Sequence, residues 1–164
     1  MKIRHVIVIL AVAAVAACGG ARAPEVSTRA ETALNPGETP ELRRLINTHA
    51  DRYDVPRALV HRVVQRESDY RPQARNGPYY GMMQIRPETA RGIGFRGLDR
   101  DLLDPAVNLN WGVKYLRGAW MVADGDMDAA VSWYARGYYY AARDRCLLVK
   151  TGLREREVAR HCRA

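Results

Sequence analysis

Leu59, Val60, Val63 and Val64 recur at the spacing of one face of an α-helix, and Glu67 falls on that same face. A carboxylate that continues an apolar stripe constrains both fold and chemistry. The stripe has to pack against other elements, so the helix sits half inside a core. Burial disfavours the ionised form of Glu67 and raises its pKa, which keeps a proton available near neutral pH. Such a group can donate to a departing glycosidic oxygen, for which values of roughly 6 are the pattern. An ordinary helix-end glutamate would tip into water instead. Asp54 suits the N-cap of this helix and Pro56 its first turn. The helix is predicted from about Val55 to Tyr70, with Pro72 marking its end because the residue before proline avoids helical angles. Arg62 and Arg66 project elsewhere.

The same punctuation recurs along the chain. Thr39-Pro40-Glu41 opens a helix whose face is Leu42, Leu45, Ile46 and His49, and which Tyr53 ends. His49 is read as a packing residue. Arg75-Asn76-Gly77-Pro78 is a turn. Tyr79 to Ile85 is too short and too Met-rich to assign to strand or loop. Pro87 opens a short helix stopped by Gly92 and Gly94. Asp104 caps and Pro105 opens a longer one, with Leu109, Val113, Leu116 and Trp120 on its apolar face. After Gly125, the residues Met127, Ala130, Val131, Tyr134 and Tyr138 mark a further helix, and a last one is predicted from about Thr151 to Cys162. The expected fold is a mostly α single domain over 39–164, with little β structure.

The first 38 residues read differently. Lys2, Arg4 and His5 precede the apolar run Val6–Ala17, which is too short to span a bilayer and fits an export signal over 1–17. Val15-Ala16-Ala17-Cys18 resembles the lipobox of bacterial lipoproteins, in which the cysteine becomes the lipidated N-terminus. Cleavage after Ala23 is the alternative, disfavoured by Pro24. Residues 18–38 are rich in small and turn-forming types and read as a flexible tether spanning roughly 25 Å. The expected location is the periplasm, with a lipid anchor on Cys18 in the outer membrane.

Export also explains the other cysteines. Cys146 and Cys162 are the remaining two, and an oxidising compartment favours a bridge worth about 3 kcal/mol. Cys146, His161 and Cys162 fit no standard zinc spacing, so no metal is expected. The formal charge of +8 falls to +6 once Lys2 and Arg4 leave with the signal. That balance suits an anionic polymer. Export and the lack of a recognition helix or stacking motif argue against nucleic acid.

Four motifs follow in order: Gln65-Arg66-Glu67-Ser68, then Gly81-Met82-Met83-Gln84-Ile85, then Asp104-Pro105-Ala106-Val107-Asn108, then Lys114-Tyr115-Leu116. Together they resemble the lytic transglycosylases, lysozyme-like enzymes that cut bacterial peptidoglycan. The resemblance covers about Leu42 to Tyr140. It implies a lysozyme-like domain, peptidoglycan strands as substrate, no cofactor, and Glu67 as the single catalytic acid/base. It implies substrate-side roles for Ser68, Gly81, Met83, Gln84 and Tyr134, and a structural role for Asn108 behind the site. Ser68 equally suits a backbone hydrogen bond at the helix end, and at least one of Met82 and Met83 suits core filling. Trp111 and Tyr115 are read as packing. Where the family commonly has Ala-Tyr-Asn-Ala-Gly, this chain has Trp133-Tyr134-Ala135-Arg136-Gly137, so the asparagine position is Ala135. Two other readings stay open. One is a goose-type lysozyme hydrolase. The other is an inactive wall-binding scaffold of a cell-envelope assembly machinery, such as a secretion channel.

Overall fold

The computed structural model describes residues 33–163. The export segment, Cys18, most of the tether and Ala164 lie outside the described residues. The elements are α1 (Pro40–Arg52), α2 (Arg57–Ser68), the two-residue strands β1 (Arg75–Asn76) and β2 (Tyr79–Tyr80), α3 (Pro87–Gly92), α4 (Pro105–Val122), α5 (Met127–Arg136) and α6 (Tyr139–Asp144). Short 3-10 turns occupy Asp99–Leu103 and Arg160–Cys162. The domain is mostly α, as its sequence implies. Among the described residues no helix is long and apolar enough to cross a membrane.

Local capping chemistry sets three of the helix starts. Thr39 Oγ1 accepts from the Leu42 amide, Asp104 Oδ1 from Val107, and Asp126 Oδ1 from Ala129. The start of α2 departs from expectation. Asp54 is not its cap: it adopts a left-handed conformation, which aspartate tolerates, in the turn from α1. Pro56 takes the cap position without a side-chain bond, and its carbonyl accepts from the Leu59 and Val60 amides. At the other end α2 stops at Ser68, before Pro72 can act, because Asp69 and Tyr70 both turn left-handed.

Helix α4 is the axis of the fold, with α5, α1, α3 and the Asp99–Leu103 turn packed around it. Its buried Leu109, Val113 and Leu116 meet Val60, Val63 and Val64 of α2 and Ile46 of α1 in the main core. Met82 and Met83 are buried in that core too. Gly112 makes room for Met83: a Cβ there would lie 2.5 Å from the Met83 sulfur. A smaller cluster of Tyr80, Ile85, Ala90, Phe95 and Leu102 closes the α3 side.

Three boundaries differ from the sequence reading. First, packing begins upstream of Thr39, inside the expected tether. The Glu38 carboxylate is fully enclosed and holds Arg43 at 2.6 Å, the Asn35 amide at 2.8 Å and His61 at 3.4 Å. Second, the helix expected to run through Tyr138 breaks at Gly137, whose positive φ ends α5; α6 starts afresh at Tyr139. Third, there is no helix over Thr151–Cys162. Such a helix would carry Cys162 roughly 17 Å from Thr151. Instead Cys146 and Cys162 are bonded, with Cα atoms 5.4 Å apart, and the segment folds back in turns. His161 lies beside this pair, but both sulfurs are committed to each other.

Candidate active site

Glu67 sits in the last turn of α2, one residue from the buried Ser68. Val63 and Val64 anchor that face in the core, so the carboxylate emerges at its edge with its side chain 22% exposed. Burial pushes its pKa up, and the neighbouring Arg66 guanidinium pulls it partly back. Arg66 does not project elsewhere: its Nε lies 3.9 Å from Glu67 Oε1, and its Nη1 donates to the Val131 carbonyl at 3.4 Å. The reason is that α5 packs beside α2 and offers that carbonyl at the helix edge.

The segment Gly81–Ile85 wraps beneath this end of α2, held by buried polar groups. Asn108 is the hub. Its Oδ1 accepts from the Met83 amide at 2.8 Å, and its Nδ2 donates to the Tyr80 and Leu102 carbonyls, both at 2.8 Å. Every polar atom of this buried amide is thereby satisfied. Gly81 lies against it with φ +70°, and a Cβ there would come within 2.2 Å of Asn108 Nδ2. Tyr134 on α5 donates to the Met83 carbonyl at 2.7 Å. Ser68 Oγ donates to the Met82 carbonyl at 2.8 Å.

These contacts separate the predicted site residues into two groups. Glu67, Gln84 and Tyr134 line a cleft of about 340 Å³ together with Arg66, Asn76, Tyr79 and Ala135. Ser68, Gly81 and Met83, expected at the substrate, lie underneath it. Ser68 and Met83 are buried, the Ser68 hydroxyl is already bonded, and the space before Gly81 is filled by Asn108 and the Leu102 carbonyl. Gln84 adopts a left-handed conformation and spends its amide N–H groups on the Ala74 and Gly81 carbonyls, at 3.1 and 2.9 Å. That leaves its amide oxygen for the cleft. Burial raises the Tyr134 pKa well above 10, and the Glu67 charge raises it further, so the hydroxyl stays protonated.

A second hollow of about 250 Å³ shares Tyr79, Gln84, Tyr134 and Ala135 with the first and extends it toward Arg86, Thr89, Tyr115 and Arg136. Ala135, at the position of the family's asparagine, thus lines both hollows. The Arg136 guanidinium lies 3.8 Å over the Trp133 ring. Sequence reasoning missed Asn76 and Tyr79. Their signal was the Gly77-Pro78 turn, which pairs the flanking residues across a hairpin. Among residues lining the two hollows, Glu67 is the sole carboxylate. The arrangement offers one proton donor, a neutral phenol, an amide and a cationic rim.

The transglycosylase SLT domain model matches residues 44–145, which hold all four motifs. This chain belongs to the transglycosylase SLT domain family. It is also similar to the membrane-bound lytic murein transglycosylase C of three Haemophilus influenzae strains, PittGG, KW20/Rd and 86-028NP. Each is 34% identical over 92 residues, covering 51% of this chain and 25% of the relative. The chain therefore spans about a quarter of the length that those relatives have. No solved structure matches it.

Proposed function

We propose that this chain is a lytic transglycosylase that cleaves the β-1,4 bond between N-acetylmuramic acid and N-acetylglucosamine in peptidoglycan. The supporting observation is the lone, half-buried Glu67 in the cleft. Most glycosidases need two carboxylates, one to activate or replace water. With one, the nucleophile has to come from the substrate. Protonated Glu67 gives its proton to the bridging oxygen as the bond to the anomeric carbon breaks. The muramic acid 6-hydroxyl then attacks that carbon and returns a proton to Glu67. No water is consumed, and a 1,6-anhydro end forms. Holding the attacking hydroxyl in the same sugar gives the high effective concentration of an intramolecular reaction.

Glu67→Gln keeps the shape and removes the acid, so cleavage should fall by roughly 100-fold or more with melting temperature kept. Parent-like digestion by that variant would remove Glu67 from the mechanism. Mass spectrometry of products from purified peptidoglycan decides the reaction class. An anhydro end supports the transglycosylase, and an end heavier by one water supports the goose-type hydrolase.

The reading extends to location. The Haemophilus relatives are named membrane-bound, and Val15-Ala16-Ala17-Cys18 supplies a candidate anchor. A diacyl or triacyl cysteine provides the two or more chains that stable anchoring needs. Cys18→Ala should leave the membrane fraction; a native protein found soluble without Cys18 would sink the lipoprotein assignment.

A further inference from the structure

A larger groove, about 830 Å³, lies on the other side of α3, between the turn after that helix and the C-terminal segment. Arg91, Arg96, Arg154 and Arg156 line it, with Glu155 as the single acid of the lining. We propose that this groove binds the carboxylates of the peptides carried by the glycan strand; the proposal rests on the peptidoglycan reading above.

The guanidinium fork matches a carboxylate in a planar, two-bond geometry that an ammonium cannot reproduce. Two of the four forks are braced in advance. Arg96 Nη1 donates to the Phe95 carbonyl at 2.9 Å and the Arg91 carbonyl at 3.2 Å, which leaves its other N–H groups free to bind. The Arg154 guanidinium lies 5.3 Å over the Tyr139 ring. Arg91 is paired with Asp99 and contributes less net charge. Arg156 has no side-chain partner among the described residues. Gly92 and Gly152 keep the walls low, and a Cβ on Gly92 would meet nothing within 4 Å. An open, arginine-lined trough suits an extended anionic segment better than an enclosed small molecule.

Position links the trough to the cleft. Helix α3 carries Thr89 into the hollow beside Tyr134 and Arg91 into the groove, two positions further on. Two positions turn about 200° around the helix, so the two side chains leave opposite sides of α3, a body about 10–12 Å across. A peptide extends about 3.3 Å per residue, so about four extended residues pass from one side of α3 to the other. The groove's second wall is residues 152–158, beyond the part matched by the family model. The Cys146–Cys162 bond and the Val149 amide donating to Glu157 Oε1 at 2.9 Å hold that wall in place. That wall lies outside the residues that the family model matches, and residues 91–96 lie inside them.

The test uses the full chain carrying Glu67→Gln, so that bound strands are not cut. Binding is measured to purified peptidoglycan, to the same strands stripped of peptides by an amidase, and to the freed peptides. Adding Arg96→Glu and Arg156→Glu should weaken binding to freed peptides and to peptide-bearing strands by about tenfold, with stripped strands unaffected. An equal loss on stripped strands would overturn the proposal, as would freed peptides that fail to bind the parent. Binding of inorganic phosphate but not of peptides would overturn it in favour of a phosphate site. If the charge-reversed protein melts early, the single Arg156→Gln provides the same comparison. Should the products of the parent lack anhydro ends while freed peptides still bind through Arg96 and Arg156, the groove stands and the reaction assignment falls.

Discussion

The Tyr134 hydroxyl donates to the Met83 carbonyl across 2.7 Å, joining α5 to the loop beneath the Glu67 carboxylate. The tyrosine thus works from both ends: its ring lines the cleft, and its hydroxyl fastens the floor. Tyr134→Phe should therefore lower kcat with a modest change in KM, and also cost about 1–2 kcal/mol of stability through the carbonyl left unpaired. Kinetics on purified strands and thermal melting check both. An unchanged kcat beside a lowered melting temperature would confine Tyr134 to the scaffold.

Asn108 and Gly81 depend on each other. Gly81→Ala forces a methyl onto the Asn108 amide at a backbone angle that alanine avoids, and should cost roughly 2–4 kcal/mol. Asn108→Leu strands the Met83 amide and two carbonyls, with a loss of about 3 kcal/mol or more. Denaturant melts measure each. The double variant should destabilise by less than the sum, because the two share one contact.

The pH profile should follow Glu67. Its pKa is raised, so the proton needed for the first step is lost only at a pH above the usual carboxylate range, and kcat should decline on the alkaline side. Arg66 opposes that shift. Removing its charge disfavours the ionised form of Glu67 and raises the pKa further. Arg66→Gln should therefore move the descending limb to higher pH, by a small amount because Arg66 is half exposed. A limb that moves to lower pH would show that Arg66 acts on something other than Glu67.

Glu38 gives the opposite sign. Burial raises its pKa, but the hydrogen bonds from Arg43 and Asn35 and the charge of His61 outweigh that and hold it below 4.5. A depressed carboxylate stabilises the fold above its unfolded value, and the contribution is lost as pH falls through the folded one. Glu38→Gln should cost roughly 2–3 kcal/mol at neutral pH and flatten the loss of stability below about pH 4.5. Melting curves across pH 3–7 test this. Matching parent and variant curves would return residues 35–38 to the tether.

What could be read from the sequence alone was whatever is decided within a turn or two of chain. The caps Thr39 and Asp104, with Pro40 and Pro105 behind them, start helices by bonds three residues away, and the stripe from Leu59 to Glu67 repeats every turn. Those local rules placed the helices, the mostly α fold, and a half-buried carboxylate. Assigning the motif residues to cleft or floor needed the tertiary structure, because contacts between distant residues make that choice. Met83 is turned inward by Asn108, 25 positions on, and by Tyr134, 51 positions on. The same holds for Arg66, drawn to the cleft by a carbonyl of α5, and for Glu38, buried by His61. The tail from Thr151 to Cys162 has helical composition, but closing a covalent link to Cys146 overrides a propensity worth only tenths of a kcal/mol per residue.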